Sequence, residues 1–146
     1  MADEHLLSGI RILDLTRVLA GPTCTRLFAE MGADVIKVEA APAGEMARAL
    51  GKLRNARSLH LIQQNLNKRS LCIDLRQPEG MDIIRRLVPH CDVVVENFRP
   101  GVLADLGLGY AALQKLRADV ILCSISALGQ NGPLADKPGY DIIARA

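Results

Sequence analysis

Apolar and polar positions along the chain alternate between two patterns. One consists of short, nearly continuous apolar runs; the other of longer stretches whose apolar residues recur every three or four positions. The runs are IRILDL (10–15), DVIKVE (34–39), SLCIDL (70–75), DVVVE (92–96) and DVILCSI (119–125). Runs of this length predict strands, and the uninterrupted ones, such as Val93-Val94-Val95, suit a parallel sheet buried on both faces. After the first run, Gly21-Pro22 opens a helix and Gly32 closes it. Cys24, Leu27, Phe28 and Met31 fall at i, i+3, i+4 and i+7 and form its predicted inward stripe. PEGMDIIRRLV (78–88) predicts a second helix, with Met81, Ile84, Leu87 and Val88 on one side. PGVLADLG and YAALQKLR give two short helices before the last strand, and GYDIIARA begins another at the end of the chain. Residues 40–57 lose the rhythm, and their Pro, Gly and small residues predict a mobile loop with at most a helical turn.

Strands alternating with helices predict an α/β fold, a Rossmann-like doubly wound parallel sheet with right-handed crossovers. Ligands of such sheets bind beyond the carboxyl ends of the strands, near the point where strand order reverses. The residues to inspect are therefore Thr16 to Pro22, Glu39, Arg76, Glu96 to Gly101 and Ser124 to Gly132.

Composition narrows the function classes. The 146 residues suit one domain, and 49% hydrophobic with 23% charged residues is an ordinary globular balance. A net charge of +2, no basic run longer than NKRS, and only two Phe and two Tyr argue against nucleic acid as a partner. No apolar run approaches the roughly 20 residues of a membrane span, and the acidic start MADEHLLSGIR does not read as a signal peptide. Cys24, Cys72, Cys91 and Cys123 form no C-x-x-C pair, and His5, His60 and His90 are isolated from them. The expectation is free buried thiols in a reducing cytoplasm and no metal site.

The strand ends carry the candidate chemistry. A helix opening at Gly21 offers orphan N–H groups to an anion, but Pro22 removes one donor, and the turn RVLAGPT has a single glycine. Two readings stay open. In one, Gly21 allows close helix–strand packing and Glu39 is a solvated strand end. In the other the fold binds a dinucleotide, and Glu39 is its ribose-binding acid. Lys68, Arg69 and Arg76 around the third strand are either a phosphate-neutralising edge or a solvated face. In VVVENFRPG, the amide of Asn97, the ring of Phe98 and the guanidinium of Arg99 suit a heterocycle and its phosphates; alternatively Asn97 makes a turn and Phe98 packs in the core.

The segments GIRILDLTRVLAGP, LFAEMGADVIKVE, NLNKRSLCIDLRQPEG, VVVENFRPGVLADLGLGY and GQNGPLADKPGYDIIARA occur in that order. Together they resemble the N-terminal part of the class III coenzyme A transferases, the family of formyl-CoA transferase, carnitine-CoA transferase and α-methylacyl-CoA racemase. The resemblance implies coenzyme A as a substrate rather than a resident cofactor, laid along the strand ends. It implies that Arg17, Val18 and Leu19 line the site, that Ile73 and Arg76 flank the nucleotide, and that Asn97 and Phe98 contact it, with Arg99 and Leu106 close by. The partners it implies are an acyl-CoA, a carboxylic acid and a second copy of the chain, because family members form interlocked homodimers several hundred residues long. Residues 1–146 then correspond to the N-terminal, CoA-binding portion of that larger fold, inactive alone. The family's aspartate, which attacks the thioester to form an acyl anhydride, falls beyond the GYD motif, and Asp141 is a neighbour of the site rather than the nucleophile.

Tyr140 occupies a position that is histidine in the racemase branch, where proton exchange needs an acid/base group. A phenol with a pKa of about 10 suits that task poorly, so Tyr140 reads as a supporting residue of a transferase. Leu19 replaces a glutamine of formyl-CoA transferase, which argues against formyl or oxalyl specificity. Ala40 and Asp105 replace two phosphate-contacting arginines of that branch, leaving Arg17, Arg76 and Arg99 to hold the ligand. The competing readings are a 2-methylacyl-CoA racemase, a non-catalytic nucleotide-binding module and an NAD-dependent oxidoreductase.

Overall fold

The apolar runs form one sheet. A computed structural model of the chain describes residues 5–140 and 143. Its strands are β1 (Arg11–Asp14), β2 (Asp34–Ala40), a short pair β3 (Leu53–Arg54) and β4 (Arg57–Ser58), then β5 (Arg69–Ile73), β6 (Val93–Glu96) and β7 (Ile121–Ser124). The helices are α1 (Ala20–Glu30), α2 (Leu59–Gln64), α3 (Pro78–Leu87), α4 (Val102–Asp105) and α5 (Tyr110–Leu116). Five strands pair in parallel in the order β5-β2-β1-β6-β7, the doubly wound arrangement, and the order reverses between β1 and β6. Alternate residues of the strands face two cores. Ile12, Val35 and Val95 pack with Ala29 of α1 on one side; Leu13, Ile36 and Val94 pack with Met81, Ile84, Leu103 and Leu113 on the other.

The inward face of α1 differs from the expected stripe. Gly21, Pro22, Thr25 and Ala29 are buried, while Leu27 and Met31 are each 42% exposed. Small residues face the sheet because the helix runs close to it. A Cβ on Gly21 would lie 2.3 Å from Thr16 Cβ, which no real contact allows. Of the two readings of the first turn, close packing is the one the structure has. In α3 the expected side is the buried one, with Met81, Ile84 and Val88 inside and Leu87 half-buried.

Residues 40–64 are more structured than a mobile loop. Glu45 caps a 3-10 turn at Met46–Ala49, and β3 and β4 join through Asn55-Ala56, both left-handed at φ 51° and 59°. Ser58 caps α2 by accepting from Leu61 N–H at 3.1 Å, and Gln64 of α2, buried, accepts from Thr23 Oγ1 of α1 at 2.7 Å. At the other end Ile143 is helical, as the GYD segment predicts, while Asp141, residue 142 and residues 144–146 lie outside the described residues.

The four cysteines are unbridged, but only Cys91 is buried; Cys24 and Cys123 are half-buried and Cys72 is exposed. Burial pushes the Cys91 thiol up to about 11. Among the described residues no helix is long and apolar enough to cross a membrane.

Candidate functional site

The carboxyl ends of β1, β2, β5 and β6 and the loop after β2 enclose a cleft of about 500 Å³, within the usual range of small-molecule sites. It lies at the reversal of strand order. Its lining includes Thr16 and Arg17 after β1, Glu39 at the end of β2, Glu45 and Met46 from the loop, Arg76 after β5 and Phe98 after β6.

Part of this lining belongs to a buried network of charges. Asp14, fully buried, accepts from Thr16 N–H at 2.9 Å, Thr16 Oγ1 at 2.5 Å, Thr25 Oγ1 at 2.6 Å and Lys68 Nζ at 3.0 Å. Lys37, the register partner of Asp14 on β2, donates to the Thr16 carbonyl and stands 3.9 Å from Asp14 Oδ1 and 3.0 Å from Glu45 Oε2. Glu39 accepts from Arg48 Nε at 2.7 Å, Arg48 Nη2 at 2.8 Å, Ser70 Oγ at 2.7 Å and Glu45 N–H at 2.9 Å. The Arg48 guanidinium, aided by Ser70 and the Glu45 N–H, holds the Glu39 carboxyl at about 2. Three acids thus meet three bases, and the Glu45 contact with Lys37 is an ion pair without hydrogen-bond alignment. Burial pulls the Lys68 ammonium below its ordinary value, and Asp14 opposes that pull.

Two expectations are corrected here. Glu39 is neither solvated nor open to a ribose, because every direction of its carboxylate that matters is taken by Arg48, Ser70 and Glu45. Lys68, Arg69 and Arg76 are not one phosphate-facing edge. Lys68 is buried on Asp14, Arg69 pairs with Asp34 at 2.7 Å, and Arg76 pairs with Asp74. Arg76 remains in the cleft, 79% exposed, with Nε and Nη2 on Asp74 at 2.9 Å and its other edge open. That guanidinium holds the Asp74 carboxyl at about 2.

Arg17 is different. Among the described residues it is the cation of the cleft lining without a carboxylate partner, and its guanidinium carbon lies 5.0 Å from the centroid of the Phe98 ring. The ring face attracts the cation and holds it without neutralising it. Phe98 both packs against the core and lines the cleft. Asn97 has its amide on the Arg17 backbone: Oδ1 accepts from the N–H at 2.7 Å and Nδ2 donates to the carbonyl at 2.9 Å.

Of the residues picked out on the sequence, Arg17, Arg76 and Phe98 line the cleft, while Val18, Leu19, Ile73, Asn97, Arg99 and Leu106 are not part of its lining. Leu19 precedes α1 and accepts from Thr23 N–H at 2.8 Å. Ile73 and Leu106 pack in or against the core, and Arg99 is exposed, its carbonyl accepting from Val102 N–H at 3.1 Å. Tyr140 is 84% exposed and likewise lies outside the lining. Sequence reasoning missed Asp14, Lys37, Glu45 and Arg48. The available signal was a charge inside each of two apolar runs, Asp14 in IRILDL and Lys37 in DVIKVE.

A cleft at the switch point of a doubly wound parallel sheet, lined by a guanidinium that rests on an aromatic face and has no carboxylate partner among the described residues, lies where folds of this class bind their ligands. The chain belongs to CoA-transferase family III, which it matches over residues 7–146. It is 45% identical over 141 residues to the succinyl-CoA:glutarate CoA-transferase of Mus musculus, covering 96% of this chain and 32% of that protein. It is 44% identical over 140 residues to the formyl-CoA:oxalate CoA-transferase of Afipia carboxidovorans, covering 95% and 33%. A solved CAIB/BAIF family protein from Brucella suis superposes with a TM-score of 0.89 at 38% identity, over 96% of this chain and 38% of that one. The chain therefore spans about a third of the length of the curated relatives it matches.

Proposed function

We propose that residues 1–146 form the CoA-binding portion of an enzyme that moves coenzyme A from one carboxylic acid to another. The observation that carries this reading is the Arg17 guanidinium, without a carboxylate partner among the described residues and held over Phe98 at the strand-order reversal. A CoA phosphate meets a guanidinium there whose charge is still available, and Arg76 presents the open edge of a second. Family membership, with CoA-transferases as relatives at about 45% identity, supplies the reaction class.

In the reaction this resemblance implies, a carboxylate of the enzyme attacks the thioester carbonyl. An acyl–enzyme anhydride forms and the CoA thiolate leaves. The incoming carboxylate then attacks the enzyme's carbonyl of the anhydride and displaces the first acid as its carboxylate; the retained thiolate attacks the new acyl carbonyl, re-forming a thioester and freeing the enzyme carboxylate. The work of this chain is to keep CoA in place across that exchange, so the second attack stays effectively unimolecular. The nucleophile belongs to polypeptide beyond the GYD motif, the protein works as a homodimer, and four unbridged thiols suit a reducing cytoplasm.

The test is transfer by the complete protein, assayed with succinyl-CoA plus glutarate and with formyl-CoA plus oxalate. CoA transfer to either acid supports the reading. CoA binding without any transfer would leave a binding module, and deuterium wash-in at an α-carbon without transfer would mark a racemase.

A further inference from the structure

The turn that displays Arg17 holds an improbable conformation. Val18 has φ 67°, in the left-handed region, where a β-branched side chain crowds its own backbone. Both N–H and both C=O groups of Arg17 and Val18 are held by side chains from elsewhere. Asn97 takes the N–H and carbonyl of Arg17 at 2.7 and 2.9 Å. Glu45 Oε1 accepts from Val18 N–H at 2.9 Å, and His60 Nε2 lies 3.2 Å from the Val18 carbonyl, to which the ring N–H donates. Asn97 follows β6, while Glu45 and His60 come from the segment between β2 and β5, so three side chains from two separate stretches of chain converge on two residues. Glu45 is in turn fixed by Lys37 and by its own N–H on Glu39.

We propose that Asn97, Glu45 and His60 are positioning residues, a side-chain clamp that holds the Arg17-Val18 turn in its left-handed form so that Arg17 meets the phosphates of a CoA-type ligand. The proposal rests on the CoA-binding reading above. Without the clamp, Val18 relaxes to an extended or right-handed conformation and the guanidinium leaves the Phe98 face. His60 is the member to test, because it is only half-buried and takes no part in the buried ion network.

The experiment measures CoA and pantetheine binding by calorimetry on the complete protein, as wild type, His60→Ala, His60→Gln, Val18→Gly and the His60→Ala/Val18→Gly double variant. His60→Ala weakens CoA binding about tenfold, equivalent to about 1.4 kcal/mol, the scale of the left-handed penalty for a residue with a Cβ. Pantetheine, which lacks the phosphates, binds as before; a general loss of structure would weaken both. His60→Gln keeps a donor and recovers most of the affinity. Val18→Gly added to His60→Ala restores binding as well, because glycine enters the left-handed region without a clamp. A double variant no better than His60→Ala, or an equal loss for pantetheine, overturns the proposal. Hydrogen exchange of the Arg17 and Val18 amides without ligand supplies a separate reading: His60→Ala accelerates it, and unchanged exchange also overturns the clamp. Wild type that fails to bind CoA overturns the function and the ligand half of the proposal, while exchange still decides whether the turn is clamped.

Discussion

Substitution of Asp14 by asparagine tests whether the buried charges act as one unit. Asparagine keeps an oxygen for the Thr16 N–H and hydroxyl, now 2.9 and 2.5 Å from Oδ1. Its NH2 replaces the oxygen that accepts from Thr25 Oγ1 at 2.6 Å and from Lys68 Nζ at 3.0 Å. Thr25 can turn its hydroxyl and accept, but an ammonium cannot. Lys68, its side chain 1% exposed, is left with no carboxylate, and Lys37 loses the neighbour at 3.9 Å. Removing one partner of a buried ion pair costs about 3–5 kcal/mol, a large part of the roughly 5–15 kcal/mol that a domain commands. With a urea slope of about 1–3 kcal/mol per molar, the unfolding midpoint of Asp14→Asn falls by about 1–5 M. Lys68→Met alone leaves Asp14 overcharged and is also destabilising. The Asp14→Asn/Lys68→Met double variant removes both charges, so its loss is smaller than the sum of the single losses by about 1–3 kcal/mol. Urea unfolding of the four proteins, followed by circular dichroism, reads this coupling. Losses that simply add would show that Asp14 and Lys68 are independent, and the network account would then be wrong.

Gly21→Ala is expected to destabilise by about 2 kcal/mol despite the gain of about 1 kcal/mol in helix propensity, because its Cβ meets Thr16 at 2.3 Å; urea midpoints equal to wild type would contradict the packing. Arg48→Met raises the pH midpoint of acid unfolding. The Glu39 carboxyl, held at about 2 against an ordinary 4.5, contributes stability that is complete above the ordinary value and lost between there and 2, so freeing the carboxyl moves that loss upward; an unchanged midpoint in a circular-dichroism pH titration refutes it. Arg17→Met weakens CoA binding by about ten- to a hundredfold, the worth of a charge-assisted hydrogen bond, and Arg76→Met by less, since Asp74 already shares its guanidinium. Calorimetry giving the reverse order would remove the role assigned to an unpaired cation.

The sheet was readable because period and punctuation agreed. Each parallel strand is a short apolar run, and the strand bounds moved by no more than two residues. The segment between β2 and β5 was not readable, since its devices lack their usual signatures. The hairpin turn is Asn55-Ala56 where glycine is the common second residue, and α2 is only six residues long, capped by Ser58. The α1 stripe misled because helix orientation was set by the hydroxyl of Thr25 reaching Asp14, together with glycine at Thr16, and apolar spacing cannot register either. The network was hidden for the same reason. Arg48 reaches back nine residues to Glu39, and Lys68 reaches fifty-four to Asp14, distances over which a linear pattern carries no information.

The single glycine of the first turn follows from how its peptide groups are used. In a dinucleotide fold, glycines expose backbone N–H groups so that a pyrophosphate can rest directly on the turn. Here the N–H of Arg17 goes to Asn97 and that of Val18 to Glu45, so neither is available to a phosphate. Gly21 serves the approach of α1 to Thr16 instead, and Pro22 has no N–H to offer. An anion beside Arg17 and Val18 finds neither of their N–H groups free, and a side chain reaching out from the turn can meet it instead. Arg17 provides one, and its charge stays available because its neighbour is an aromatic ring and not a carboxylate. In the CoA-binding reading proposed above, the turn exchanges backbone recognition for guanidinium recognition, which tolerates a phosphate further from the chain but depends on the turn holding still. The proposed clamp answers that dependence with three side chains converging on two residues.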